Sequence, residues 1–104
     1  MEKGILIGIS DKKEYIKFSF KKNKLFFPAF ERFLFNSGII IDDYIKNPPK
    51  LSNFIDRVYV HGNSEIDFDL FFGKENILLL LRADSREKLL EYKIHLLKYF
   101  EFKN

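Results

Sequence analysis

Residues 64–72, Ser-Glu-Ile-Asp-Phe-Asp-Leu-Phe-Phe, alternate polar and apolar side chains with a period of two. A helix would scatter that pattern around its circumference, whereas a strand sorts it onto two faces. The stretch is therefore expected to be a strand with Ile66, Phe68, Leu70 and Phe72 on one side. Glu65, Asp67 and Asp69 are expected on the other. Gly73-Lys74-Glu75-Asn76 turns the chain, with Gly73 and Asn76 expected to supply the positive φ angles of a hairpin. Ile77 to Leu81 is an unbroken apolar run, short enough for a strand with partners on both sides. Arg82-Ala83-Asp84-Ser85 ends it. Asp84 or Ser85 can accept from the first free N–H groups of a helix predicted over Glu87 to Phe100. Hairpin plus helix is the unit around which the chain is built.

Upstream, Gly4 to Ile9 reads as a strand and Glu14 to Phe20 as a second, with Ile16, Phe18 and Phe20 on its apolar face. The two make an N-terminal hairpin within residues 1–22, and whether its first strand joins the main sheet or lies along an edge is left open. A first helix is expected over 25–38. Pro28 suits its first turn, Phe26, Phe30, Phe33 and Leu34 share one side, and Gly38 stops it. Ile39 to Tyr44 fits either a strand or a continuation of the helix. Pro48 and Pro49 break regular structure, so 45–53 is expected to be a flexible loop. Residues 54–82 are assigned to antiparallel strands, with Gly62-Asn63 as a turn, and 84–102 to the C-terminal helix. The fold class is α+β, one domain over 1–104. It is expected to be an antiparallel sheet of about four to five strands with two helices on one face, in the order strand-strand-helix-strand-strand-strand-helix.

The chain has 104 residues, enough for one core, and 13 Phe with 5 Tyr make that core rich in rings. The lack of cysteine excludes disulfides and cysteine–zinc sites, and His61 and His95 alone cannot complete a metal site. No metal or cofactor is expected. No apolar run is long enough to span a membrane, and charge follows the N-terminal apolar segment too soon for a signal peptide, so a cytoplasmic protein is expected. The abundance of Lys, Ile, Phe and Asn points to an AT-rich genome. A net charge of +3 permits an acidic or nucleic-acid partner without requiring one.

No catalytic constellation is found. Ser10, Ser37, Ser64 and Ser85 lie in turns without a nucleophile elbow or a glycine-rich phosphate loop. Glu65, Asp67 and Asp69 could hold a cation or form an acid–base pair, but a solvated sheet face has the same pattern. Lys21, Lys22 and Lys24, with Lys12 and Lys13 across the hairpin, could contact phosphates; a solvated turn looks the same. The final helix is more informative. On a helical wheel Leu89, Leu90, Ile94, Leu96, Leu97 and Phe100 span roughly 160°, where a helix lying on a sheet needs about 100°. Either the first helix and the loop cover the excess, or part of it meets a second chain. Leu90, Lys93, Ile94, Leu97 and Tyr99 are the residues expected at that partner surface, with the Lys93 stem lying flat and its amine at the rim.

Ser64-Glu65-Ile66-Asp67-Phe68, Gly73-Lys74, the Ile77-Leu78 strand, Ala83-Asp84-Ser85, Leu89 and Leu97-Lys98-Tyr99 together resemble the Pcc family. That family is the small dimerising subunit of the KEOPS complex, and the match covers roughly the last forty residues. The family usually has an arginine after the helical leucine and an asparagine–serine pair one turn on. Here those positions are Leu90, Ile94 and His95, so polar positions have become apolar, as in a diverged member or a paralogue. The resemblance implies a non-catalytic, archaeal-type accessory subunit of tRNA threonylcarbamoyladenosine modification. It implies a homodimer, or a heterodimer with a Pcc-family paralogue, that docks by its helices on the catalytic subunit and helps hold tRNA. The metal and nucleotide would belong to other subunits. A longin, roadblock or profilin-like adaptor is the alternative that the order of elements allows.

Overall fold

A computed structural model describes residues 2–38, 56–61 and 65–103, the stretch 56–61 through its backbone alone. In chain order the elements are β1 (Gly4–Asp11), β2 (Tyr15–Lys21), α1 (Phe26–Asn36), β3 (Asp56–His61), β4 (Ile66–Phe72), β5 (Asn76–Ala83) and α2 (Arg86–Leu96). A 3-10 turn, Leu97–Tyr99, then leads into β6 (Phe100–Phe102). The expected ambiguity at Ile39–Tyr44, the Pro48-Pro49 loop and the Gly62-Asn63 turn all lie outside the described residues.

The fold is α+β: among the described residues one sheet carries two helices on one face. Its strand order is β3-β4-β5-β2-β1-β6, so the two hairpins meet through their second strands, β5 and β2, at the centre. That central pair runs from Tyr15 opposite Arg82 to Lys21 opposite Asn76. Every pairing is antiparallel except the short one between β1 and β6. β1 therefore joins the main sheet directly.

The period-two pattern sorts the side chains as the sequence requires. Ile16, Phe18 and Phe20 of β2, Ile66, Phe68, Leu70 and Phe72 of β4, and Ile77, Leu79 and Leu81 of β5 are all buried beneath the helices. From α1, Phe26, Ala29, Phe30, Phe33 and Leu34 close over them. Phe30 and Phe33 each set an edge against Phe68, with ring centroids 5.9 Å apart. α1 begins where the Asn23 side-chain oxygen accepts from the Leu25 N–H at 2.9 Å, and ends at Gly38, whose φ of +72° an L side chain would resist.

Two sequence expectations are corrected here. Gly73 and Asn76 do not adopt positive φ; Gly38 alone does among the described residues. The loop between β4 and β5 is longer than a two-residue turn, and its glycine serves a close approach instead. A Cβ on Gly73 would lie 3.2 Å from the Asn76 carbonyl oxygen, which accepts from the Gly73 N–H at 2.9 Å. The second correction concerns the C-terminus. The helix stops at Leu96, and Phe100–Phe102 runs parallel to Gly4–Leu6 as an edge strand. Phe100 drives the change, because its ring enters the core 4.4 Å from Phe20 and 6.0 Å from Phe26. Where the helix gives way to the 3-10 turn, Leu97 also packs against the core, so part of the apparent excess on the helical wheel belongs to the core.

Candidate interaction site

α2 starts at Ser85, whose hydroxyl accepts from the Lys88 N–H at 3.2 Å in extended backbone. Glu87 lies in its first turn and Lys93 in its last, each charge suited to the nearer end of the helix dipole. Leu89 and Leu96 face the sheet and are buried.

The flanks of α2 are tied to the sheet on both sides. Towards β1, Lys93 reaches Asp11 at 3.0 Å and Arg86 reaches the same carboxylate at 2.9 Å. Arg86 also donates to the Lys12 carbonyl oxygen at 2.5 Å. The hydrogen bond from Lys93, then that from Arg86, holds the Asp11 carboxyl below its ordinary range. Towards β4, the Tyr92 hydroxyl donates to Glu65 at 3.0 Å and the Lys88 amine lies 3.5 Å from it. Glu65 thus curls over the end of the sheet onto α2, away from the face that carries Asp67 and Asp69. It sits one residue before β4, where the pleat no longer dictates its direction.

What remains outward on α2 is a pair one turn apart, Leu90 and Ile94, 37% and 64% exposed. Of the other residues expected at a partner surface, Lys93 is engaged with Asp11. Leu97 and Tyr99 are half-buried against the core on the 3-10 turn, and the Tyr99 hydroxyl accepts from the Asn36 amide at 2.8 Å. The five therefore do not form one surface. Beside Ile94 a groove of about 450 Å³ opens between the end of α1 and α2, with Asn36, Ser37, Tyr92, His95 and Lys98 among its walls. The His95 ring lies 5.3 Å from Phe33 and 5.6 Å from Tyr99. Burial, and secondarily Lys98, pushes its pKa below the usual value, and its buried Nε2 has no hydrogen-bond partner among the described residues.

The carboxylate row takes a different form from a metal or acid–base site. Arg82 Nε lies 3.0 Å from Asp67 and its Nη1 2.8 Å from Asp69, which is 1% exposed. The hydrogen bond to Asp69 is the main cause that raises the Arg82 pKa. A guanidinium fixed between both carboxylates stands where a cation would have to sit. Among the described residues no group of three or more His, Cys, Asp or Glu is placed to hold a metal ion. No described helix is long and apolar enough to cross a membrane.

The lysines do not form one patch. Lys12 and Lys13 lie at one end of β2 and Lys21, Lys22 and Lys24 at the other, so the whole strand separates them. Lys22 donates to the Gly73 carbonyl oxygen, which ties it to the β4–β5 turn. Lys21 and Lys24 stay exposed.

A further surface was not among the expected site residues. Phe71, Leu78 and Leu80 are half-buried on the face of the sheet opposite α1 and α2. The unbroken run Ile77 to Leu81 carried the signal: when Ile77, Leu79 and Leu81 face the helices, Leu78 and Leu80 must face the other way. Compared with known proteins, the chain matches no family model, no curated protein and no solved structure.

Proposed function

We propose that this chain is a non-catalytic assembly subunit that resembles the small subunit of KEOPS and supports tRNA threonylcarbamoyladenosine modification in the cytoplasm by binding the catalytic subunit. The observation that carries the reading is the Leu90–Ile94 ridge. It projects from a helix whose inner side is already packed and whose flanks are tied down by Asp11 and Glu65. A rigid helix with an outward apolar pair at i and i+4 suits the groove of another helix, since such ridges are what helix pairs interlock. The position also agrees with the residues where the sequence departs from the family by becoming apolar. In this reading tRNA touches the complex near Lys21 and Lys24, and homodimers or heterodimers with a Pcc-family paralogue form the working unit.

The test is calorimetric titration of the chain with a KEOPS catalytic subunit, followed by the same titration with Leu90→Glu/Ile94→Glu. Binding by the natural chain and its loss in the variant, with far-UV circular dichroism unchanged, is the expected result. A natural chain that does not bind the catalytic subunit overturns the proposal.

A further inference from the structure

We infer that the outer edge of β1, beyond the end of β6, is a docking slot for an extended peptide of another protein, with apolar residues in alternation and an acidic end. β1 runs from Gly4 to Asp11, but β6 pairs with it only at Gly4, Ile5 and Leu6. The register with β2 shifts between Leu6 and Gly8, a bulge, and is regular again from Gly8 to Asp11. Among the described residues no strand lies on the outer side of that regular stretch.

The backbone shows which groups look outward. The Lys12 N–H donates to the Tyr15 carbonyl oxygen at 2.9 Å, so these two residues form a hydrogen-bonded pair of the β1–β2 hairpin. In an antiparallel ladder such pairs alternate with open ones. Gly8 and Ser10 therefore turn their N–H and C=O groups towards β2, and Ile9 and Asp11 turn theirs away from it. On the far side of the bulge Leu6 also faces outward, and its carbonyl oxygen accepts from the Lys103 N–H at 2.9 Å. β6 thus satisfies Leu6 but stops short of Ile9 and Asp11. Outward N–H and C=O groups at a sheet edge are completed by another extended backbone.

The surrounding side chains define the peptide. Arg86, Leu90 and Lys93 follow one another by a helical turn on one flank of α2. Both cations reach Asp11, so this flank stands beside the open edge. Leu90 is 37% exposed and Phe102, at the end of β6, 58% exposed, which offers apolar contacts to every second side chain of an added strand. At the Asp11 end Arg86 and Lys93 share a single carboxylate, and the exposed Lys12 and Lys13 follow against one Glu14. A peptide with carboxylates at that end is attracted and a basic one repelled. The slot belongs to the edge of β1 and does not depend on the assembly reading above.

The experiment is proton–nitrogen NMR of the isotope-labelled full chain, titrated to millimolar with short synthetic peptides in which Thr alternates with Val, Ile, Leu or Phe and one end carries two Asp. Amide shifts should gather at residues 8–11, and the Ile9 and Asp11 N–H groups should exchange more slowly in the complex. N-methylation removes backbone donors from the peptide. Methylating one alternate set of residues should weaken binding by at least about tenfold, because that set faces β1, and methylating the other set should not. Lys12→Glu/Lys13→Glu, an exposed change that spares the core, should weaken binding on the order of tenfold at low salt. Ile94→Glu should leave it intact. Peptides that leave residues 8–11 unshifted at millimolar concentration overturn the inference, and so does equal binding by the two methylated sets. A chain that takes the peptide but not the KEOPS catalytic subunit would refute the proposed function and leave this inference standing.

Discussion

Gly4→Ala tests the least expected part of the fold, the return of the C-terminus to the sheet. A methyl group at Gly4 would lie 2.6 Å from Cδ1 and Cε1 of Phe100 and 3.4 Å from the Ala29 Cβ. Carbon atoms do not approach to 2.6 Å, so the ring must move. It is held, however, by Phe20 at 4.4 Å and Phe26 at 6.0 Å, and is only 4% exposed. Overpacking of this kind costs about 1–3 kcal/mol. The gain from replacing a strand glycine offsets it by roughly 0.5–1 kcal/mol. The net loss is therefore on the order of 1–2 kcal/mol, or roughly 4–16 °C in Tm for a domain of this size. The chain has no Trp, so urea and thermal unfolding are best followed by far-UV circular dichroism. The companion variant is Phe100→Leu, which removes the colliding ring atoms. Alone it destabilises by creating a small void, and combined with Gly4→Ala it should recover on the order of 1 kcal/mol relative to additivity. A neutral Gly4→Ala, or strict additivity in the cycle, would show that β6 does not pack against β1 and would restore a C-terminal helix running through Phe100.

Two further outcomes are expected. Arg82→Met removes the guanidinium from a carboxylate, Asp69, that is 1% exposed, and should cost about 2–4 kcal/mol in urea unfolding, less than a fully buried pair because Arg82 itself is partly exposed; equal losses for Arg82→Met and Asp67→Asn would contradict that assignment. His95 has a folded-state pKa below its unfolded value, so the unfolded chain binds more protons just below pH 6.5 and stability must fall as pH drops through that range. Asp11, also lowered, adds its loss only at more acidic pH, through the ordinary carboxylate range and below. Melting curves between pH 7.5 and 5.5 should show a decline that His95→Gln flattens, and an unchanged slope in that variant would remove His95 as its cause.

The sequence was informative wherever a period persisted over six or more residues. β2 alternates throughout and β4 as far as Leu70, and that pattern places their inward residues. α1 was legible because four apolar side chains repeat at helical spacing and a glycine follows. Ser85 was one of two candidate caps, and the choice fell to it because its backbone is extended where the hydroxyl must turn back to Lys88. The surface was harder to read. Leu90 and Ile94 emerged outward as the helical wheel allowed, while Lys93, Leu97 and Tyr99 from the same arc were drawn into an ion pair or against the core.

Local chemistry thus determines the elements of this protein: hairpins where side chains alternate, helices where apolar residues recur every three or four positions, and ends where caps and glycines sit. Those choices depend on neighbours a few residues away, which any reading of the chain can see. Tertiary structure alone decided the rest. Phe100 became a strand residue because a slot exists beside Gly4, at the opposite end of the chain. Glu65 left the carboxylate row because Tyr92 and Lys88 were within reach, and Asp67 and Asp69 became a bridge because Arg82 stands across the ladder from them. Each of these turns on a contact between residues far apart in sequence, whose energy exists only once the sheet has brought them together.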